Sequence, residues 1–251
     1  MTTSIRTERD GHVGRVTFNR PEVRNALDLD ARVQLAEAFA EFDADDTVRV
    51  VVLTGVGTAF CAGTDLSGAQ DPDHELVLHP RRLVAPLDDF SKPVIAAVNG
   101  AAAGGGFEFA LAADLRVASP HAKFLLPELR IGSLPGSGGT QRIFHALPSA
   151  VAWKTLLTGQ PLTAEQALGY GLVSDVFPEA SFADDVSALA ARVAEAAPLS
   201  LKAAKCAGRA ALDTAGYELE RELWEQLSHT GDRAEGRAAF REKRDPRFTG
   251  K

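Results

Sequence analysis

Three stretches of the chain have the hydrophobic pattern of short β-strands. Residues 13–18 combine β-branched and aromatic side chains, and turn-forming residues follow at positions 19–21. Residues 48–54 and 94–98 are mostly apolar, which is typical of strands that helices cover on both faces. We therefore expect these strands to belong to βαβ units.

Helical periodicity follows the first strand and returns after Pro178. In residues 28–42 the apolar positions recur near helical spacing, and Asp28 or Asp30 is available as the N-cap. This helix should cover a sheet. The C-terminal pattern predicts four helices, with Pro198 at the boundary between the first two: residues 182–196, 199–212, 217–229 and 233–243.

Composition narrows the class of protein. With 251 residues, of which 45% are hydrophobic, the chain can bury a full core without disulfides. Its net charge of −7 argues against nucleic-acid partners. The two cysteines are too few for a disulfide framework and fit a reducing cytoplasm. We find neither the apolar region of a secretory signal nor the roughly 20 apolar residues that span a membrane.

Several common catalytic motifs are missing from the sequence. There is no phosphate-binding P-loop, no dinucleotide-binding glycine fingerprint and no serine-hydrolase nucleophile elbow. His74-Glu75 resembles the start of a zinc-protease motif, but Leu78 stands where the second histidine is required. We therefore expect no metal site.

Small side chains are concentrated in residues 59–66, directly after a buried strand. A loop of this kind lets a ligand approach the main chain closely, so that backbone N–H groups can donate hydrogen bonds to it. The alternative interpretation is a tight turn with Cys61 packed inside.

A second segment, residues 99–112, places glycines directly before a predicted helix. A helix N-terminus offers N–H groups and a positive dipole end, which suit a developing oxyanion held near Gly105. Glu108 would lie about one turn further in. Alternatively, the glycines allow close helix–sheet packing, and Glu108 is an ordinary acid of the first turn.

A third segment, residues 126–142, contains a carboxylate between Pro127 and Leu129. If this apolar setting desolvates Glu128, the pKa of its carboxyl should rise, which would make it a possible proton donor near neutral pH. The alternative is a surface acid paired with Arg130.

Together these segments resemble the enoyl-CoA hydratases of the crotonase superfamily. Similar signatures occur at residues 19–27, 159–164, 167–173 and 240–244, so the resemblance covers nearly the whole chain. It implies an α/β fold with a ββα spiral core at residues 1–197. Residues 198–251 would form a helical region that packs the chain into a homotrimer or a dimer of trimers.

The resemblance also implies roles for individual residues. The backbone N–H groups of Thr64 and Gly105 would form an oxyanion hole for the thioester, and Glu108 and Glu128 would position water. The coenzyme A part of the substrate would contact Arg24, Ala62, Asp65, Leu66 and Lys243. For Arg24 and Lys243, solvated surface charge is an equal alternative. No metal or redox cofactor is implied.

Hydration of a 2-enoyl-CoA to a 3-hydroxyacyl-CoA, as in fatty-acid β-oxidation, is the activity that the resemblance implies. The presence of both glutamates favours it over the alternatives: a Δ3-Δ2-enoyl-CoA isomerase, another crotonase-type lyase, or a catalytically silent acyl-CoA binder. Thr64 departs from the alanine usual at this position and leaves the substrate open. Residues 67–80 should shape the acyl pocket.

Overall fold

In the computed structural model, the described residues form two β-sheets, and the larger one has six strands. The structure describes residues 3–67, 83–196, 198–209, 225, 228–244 and 246. The strands of this larger sheet are β1 (Ile5–Asp10), β2 (Val13–Phe18), β3 (Val50–Gly55), β5 (Val94–Val98), β7 (Leu115–Ala118) and β10 (Asp175–Val176). They lie in the order β1-β2-β3-β5-β7-β10, and neighbouring strands are parallel except for the antiparallel pair β1-β2.

The smaller sheet consists of β4 (Ala59–Cys61), β6 (Ala101–Ala103), β8 (Lys123–Leu125) and β9 (Leu162–Thr163). These strands lie in the order β4-β6-β8-β9. The chain enters the two sheets alternately: β3 precedes β4, β5 precedes β6, and β7 precedes β8. Each pair is followed by a helical segment, so the predicted ββα spiral and α/β class are confirmed.

Helices pack against the sheets in the described part of the chain. They are α1 (Leu29–Ala44), α2 (Ala85–Asp88), α3 (Gly105–Ala112), α4 (Gly139–Ala146), α5 (Ser149–Thr158), α6 (Ala164–Gly169), α7 (Phe182–Ala194), α8 (Pro198–Arg209) and α9 (Gly231–Glu242). Asp28 caps α1, because its carboxylate accepts a hydrogen bond from the Ala31 N–H at 2.9 Å. Within the described residues, no helix has the length and apolar character needed to cross a membrane.

The expected elements that fall on described residues are confirmed. Strands 13–18 and 94–98 have the predicted bounds, and helices 28–42, 182–196 and 233–243 shift by only a few residues at their ends. Predicted helix 217–229 and the end of 199–212 lie mostly outside the described residues, as does most of segment 67–80. The division at residue 197 stays a prediction.

A buried lysine fastens α8 to the core. The Lys205 ammonium donates to the Lys92 carbonyl at 2.6 Å, lies 3.1 Å from the Asp114 carboxylate, and stands over the Phe90 ring. Burial lowers the pKa of Lys205 to about 8, although the attraction of Asp114 opposes this shift. The charged form of Lys205 is therefore disfavoured by folding.

This lowered pKa predicts a pH-dependent stability. Between about pH 8 and pH 10.5, the unfolded chain holds the Lys205 proton and the folded chain does not, so stability rises with pH. We expect the free energy of unfolding of wild type, minus that of Lys205→Met, to increase by on the order of 2 kcal/mol across this window. Urea denaturation at several pH values measures it, and a flat or falling difference contradicts the shift.

Candidate active site

Three neighbouring strands of the smaller sheet end at the same edge. Because β4, β6 and β8 pair in parallel, the chain leaves all three in the same direction. Thr64, Gly105 and Glu128 each follow within three residues of a strand end. The sheet therefore brings together residues that lie far apart in the sequence.

Two backbone N–H groups lie close together at this edge. The Leu27 N–H donates to Gly63 O at 2.8 Å, and the Asp65 N–H donates to Leu27 O at 3.0 Å, so the intervening Thr64 N–H is directed away from Leu27. Gly105 is the first residue of α3, where the N–H has no acceptor within the helix. A Cβ atom on Gly105 would lie 3.8 Å from the Thr64 nitrogen. The pair can stabilise a negative oxygen placed between them.

This close approach depends on Gly63. Its φ of +83° lies in the left-handed region, and a Cβ atom there would stand 2.7 Å from the Gly105 nitrogen. Any side chain at this position would therefore crowd one of the two donors.

Glu108 lies in the first turn of α3 and is almost completely buried, at 3% exposure. Its Oε1 accepts hydrogen bonds from the Ser137 N–H at 2.7 Å and the Gly139 N–H at 2.9 Å. Gly139 starts α4, so the positive end of this helix faces the carboxylate. A Cβ atom on Gly139 would stand 2.9 Å from Glu108 Oε1. These contacts fix the orientation of the carboxylate.

Glu128 is the first residue of a 3₁₀ helix (Glu128–Ile131) that follows β8. Its Oε1 would lie 3.0 Å from a Cβ atom on Gly104, the residue before the Gly105 donor. Glu128 lines the same pocket as Glu108, whereas Arg130 is exposed. This placement favours the pocket interpretation of Glu128 over a surface ion pair.

The pocket that joins these groups has a volume of about 130 Å³. Ala62, Thr64, Leu66, Gly105, Glu108 and Glu128, all predicted from the sequence, border it. Two further lining residues, Arg233 and Arg237 of α9, were not predicted as site residues. Within the described residues, no group of three His, Cys, Asp or Glu side chains is arranged to hold a metal ion.

The unusual Thr64 side chain is tied to α1. Its hydroxyl accepts a hydrogen bond from the Arg32 guanidinium at 2.9 Å, so the side chain adds a polar contact without using the backbone donor. Nearby Cys61 is fully buried and donates to the Asn25 carbonyl at 3.2 Å. The thiol is therefore packed inside the turn, as in the alternative interpretation of this segment. This burial raises the pKa of Cys61 to about 12.

The residues expected to contact coenzyme A do not all line the pocket. The Ala62 N–H donates to the Arg24 carbonyl at 3.0 Å, and the Asp65 N–H is bonded to Leu27. Main-chain contacts from Ala62 and Asp65 to a nucleotide would therefore use their carbonyls. Arg24 is exposed beside this loop, and exposed Lys243 caps α9 outside the pocket lining.

The Asp65 carboxylate is held within the chain. It lies 3.1 Å from the Arg20 guanidinium and accepts the Ser67 hydroxyl at 2.6 Å. Burial alone would raise the pKa of Asp65, but the hydrogen bonds from Ser67 and the charge of Arg20 outweigh it and lower the pKa. The side chain therefore braces the loop.

Asn25 is a positioning residue to which sequence reasoning gave no role. Its φ of +60° is a conformation that asparagine tolerates better than most residues. Its side-chain NH₂ group donates to the Ala59 carbonyl at 2.8 Å and the Phe60 carbonyl at 3.2 Å, and its side-chain Oδ1 accepts a hydrogen bond from the Arg20 backbone N–H at 2.9 Å. The sequence signal for this role was an asparagine, a residue that tolerates positive φ, between Arg24 and Ala26.

A ββα spiral in which β4 and β6 lead to paired backbone N–H donors is the architecture of the crotonase superfamily. The enoyl-CoA hydratase/isomerase family matches residues 8–251, and the chain belongs to this family. It is 44% identical to (E)-benzylidenesuccinyl-CoA hydratase of Thauera aromatica, over 98% of this chain and 99% of the relative. It is 42% identical to 2,3-dehydroadipyl-CoA hydratase of Escherichia coli, over 94% of each.

A solved structure gives the same result for the fold. The crystal structure of carnitinyl-CoA hydratase from Mycobacterium avium superposes with a TM-score of 0.87 at 36% identity, and each chain is covered completely. The chain is therefore an enzyme of the hydratase type within a family that acts on acyl-CoA thioesters.

Gly63→Ala should disable the paired donors. The new methyl group would press on the Gly105 nitrogen, and we expect a loss of about 100-fold or more in acyl-CoA turnover, the typical effect of losing one oxyanion donor. Gly171→Ala is the matched control, because its φ of +76° imposes similar backbone strain where nothing lies within 4 Å. Equal turnover in the two variants would contradict this role of Gly63.

Proposed function

We propose that this enzyme adds water across the 2,3 double bond of a 2-enoyl-CoA to give a 3-hydroxyacyl-CoA. The main support is that Glu108 and Glu128 line one pocket. The same pocket is lined by Thr64 and Gly105, the residues of the paired N–H groups. The hydratase-type names of the relatives support the same class of reaction.

The thioester carbonyl would accept hydrogen bonds from the Thr64 and Gly105 N–H groups. As water adds, negative charge develops on this oxygen, and the preorganised donors stabilise the enolate-like state. Such donors reduce the barrier because they are already aligned before charge develops. Loss of one donor typically costs about 10²–10³ in rate.

The two glutamates would divide the proton transfers. Glu108 accepts a proton from water while the water oxygen bonds to Cβ, and Glu128 supplies a proton to Cα. One O–H bond of water is broken, and new C–O and C–H bonds replace the π bond. General acid–base assistance of this kind contributes about 10²–10⁴ in rate. The hydrogen bonds from Ser137 and Gly139 would hold Glu108 in place throughout.

Isomerisation of a 3-enoyl-CoA is the alternative reaction within the family. A single carboxylate can move the proton in that reaction, because no water is added. Two carboxylates on one pocket favour hydration. The isomerase, another crotonase-type lyase and a silent binder stay as alternatives that product analysis separates.

Glu108→Gln and Glu128→Gln should each reduce hydration of crotonyl-CoA by at least about 100-fold, because an amide cannot replace the transferring carboxyl. The measurement is loss of the conjugated-thioester absorbance, with longer 2-enoyl-CoAs in parallel. Glu41→Gln, on the exposed surface of α1, is the matched control and should retain wild-type rates.

Three results would contradict the proposal. Wild type that leaves every 2-enoyl-CoA unchanged is not a hydratase of these substrates, and conversion of 3-enoyl-CoA to 2-enoyl-CoA would then identify an isomerase. Tight acyl-CoA binding without any product would identify a silent binder. Full activity in either glutamine variant would remove that residue from the mechanism.

We also propose that the chain assembles as a homotrimer or a dimer of trimers. Trp153 and Leu157, one turn apart on α5, are 50% and 60% exposed in the single chain, a large apolar surface for a helix facing water. Light scattering should give about three or six times the chain mass of 26.6 kDa. A monomer at working concentration would refute the assembly.

A further inference from the structure

The buried Cys61 thiol makes two hydrogen bonds, one as donor and one as acceptor. Its S–H group donates to the Asn25 backbone carbonyl at 3.2 Å, and its sulfur accepts the Gly63 N–H at 3.4 Å. A thiol has one hydrogen to donate and can also accept, so one sulfur atom serves both groups. Because burial raises the pKa of Cys61 to about 12, the donated hydrogen is present at neutral pH.

These two bonds complete the pairing between two segments, residues 24–27 and residues 62–65. Three backbone hydrogen bonds join the segments: Ala62 N–H to Arg24 O, Leu27 N–H to Gly63 O, and Asp65 N–H to Leu27 O. Among the described residues, no backbone group pairs with the Asn25 carbonyl or with the Gly63 N–H. Both residues are buried, so these groups need a partner within the protein. The Cys61 thiol is that partner.

The backbone of Gly63 is held from both sides by these contacts. A peptide unit is planar and trans, so the Gly63 carbonyl and the Thr64 N–H lie in one plane and point in opposite directions. The Leu27 N–H holds this plane by donating to Gly63 O at 2.8 Å. The Cys61 sulfur holds the preceding plane through the Gly63 N–H. Because glycine is conformationally permissive, both hydrogen bonds are needed to fix the direction of the Thr64 N–H.

We propose that Cys61 is a positioning residue for the reaction. Its thiol holds Gly63 and thereby keeps the Thr64 N–H aligned as one of the paired donors. The inference rests on the proposed function, because it treats the paired donors as the site of the thioester oxygen. Packing alone would require only an apolar side chain of suitable size. Positioning requires a hydrogen and a lone pair at the same place, which serine also offers and which alanine and valine lack.

Hydration kinetics test this role with the 2-enoyl-CoA that wild type hydrates fastest. Cys61→Ala should lower kcat roughly 10- to 100-fold and change KM much less, because a small misplacement of a preorganised group reduces the rate of the chemical step. Cys61→Val, which fills more space than alanine, should lose kcat in the same range. Cys61→Ser should recover most of the loss, because its hydroxyl can both donate and accept. Cys206→Ala, at an exposed cysteine, is the matched control and should keep wild-type kinetics.

A second readout reports on the paired donors without requiring turnover. The conjugated thioester of 2,4-hexadienoyl-CoA should absorb at longer wavelength when bound, because hydrogen bonds to its carbonyl oxygen draw electron density along the π system. Glu108→Gln, which should block hydration, is the background for this measurement. In that background, Cys61→Ala should reduce the red shift, Cys61→Ser should retain most of it, and Cys206→Ala should leave it unchanged. Thermal melting identifies folded variants, and Cys61→Val replaces Cys61→Ala if the latter does not fold.

Three outcomes would overturn the inference: wild-type kcat and red shift in the alanine and valine variants, a serine variant that loses as much as the alanine variant, or a bound probe without any red shift when Cys61 is intact. The second outcome would assign Cys61 to packing alone. A red shift that depends on Cys61, without hydration of any 2-enoyl-CoA, would refute the proposed function alone. Hydration that is indifferent to every Cys61 substitution would refute only this inference.

Discussion

Parallel pairing of three very short strands is the constraint on which the site depends. β4, β6 and β8 contribute only three residues each, yet their common direction places three separate segments at one edge. Close packing between successive turns of the spiral maintains the alignment. A Cβ atom on Gly106 would fall 1.9 Å from the Cys61 carbonyl oxygen, so α3 can meet β4 only where no side chain intervenes.

The same arrangement explains how a buried carboxylate is accommodated. Glu108 enters the pocket from α3, and the backbone N–H groups of Ser137 and Gly139 both donate to one of its carboxylate oxygens. Arg142 of α4 then binds the Ser137 carbonyl at 2.8 Å, and the Ser137 hydroxyl accepts the Leu83 N–H at 3.0 Å. Glu108 is thus held by main-chain contacts that are themselves braced on both sides.

Local pattern predicted the long elements of the fold well, because β2 and β5 are rich in β-branched and other apolar residues and helical spacing repeats several times in α1. It did not predict β4, β6 and β8, since three residues are too few to show a period. Glu108 and Glu128 could be singled out by their neighbours and by family resemblance. Arg233 and Arg237 could not, because only the folding of α9 onto residues 128–131 brings them to the pocket.

Gly236 of α9 lies directly against the main chain of Ile131, because a Cβ atom on Gly236 would stand 2.2 Å from the Ile131 carbonyl carbon. Because α9 is seated through main-chain atoms, its pocket-facing side chains can be exchanged while the helix keeps its place. The paired donors and both glutamates belong to the spiral, which is a separate part of the chain. Mutation of α9 can thus change the lining of the pocket while the paired donors and both glutamates are inherited unchanged.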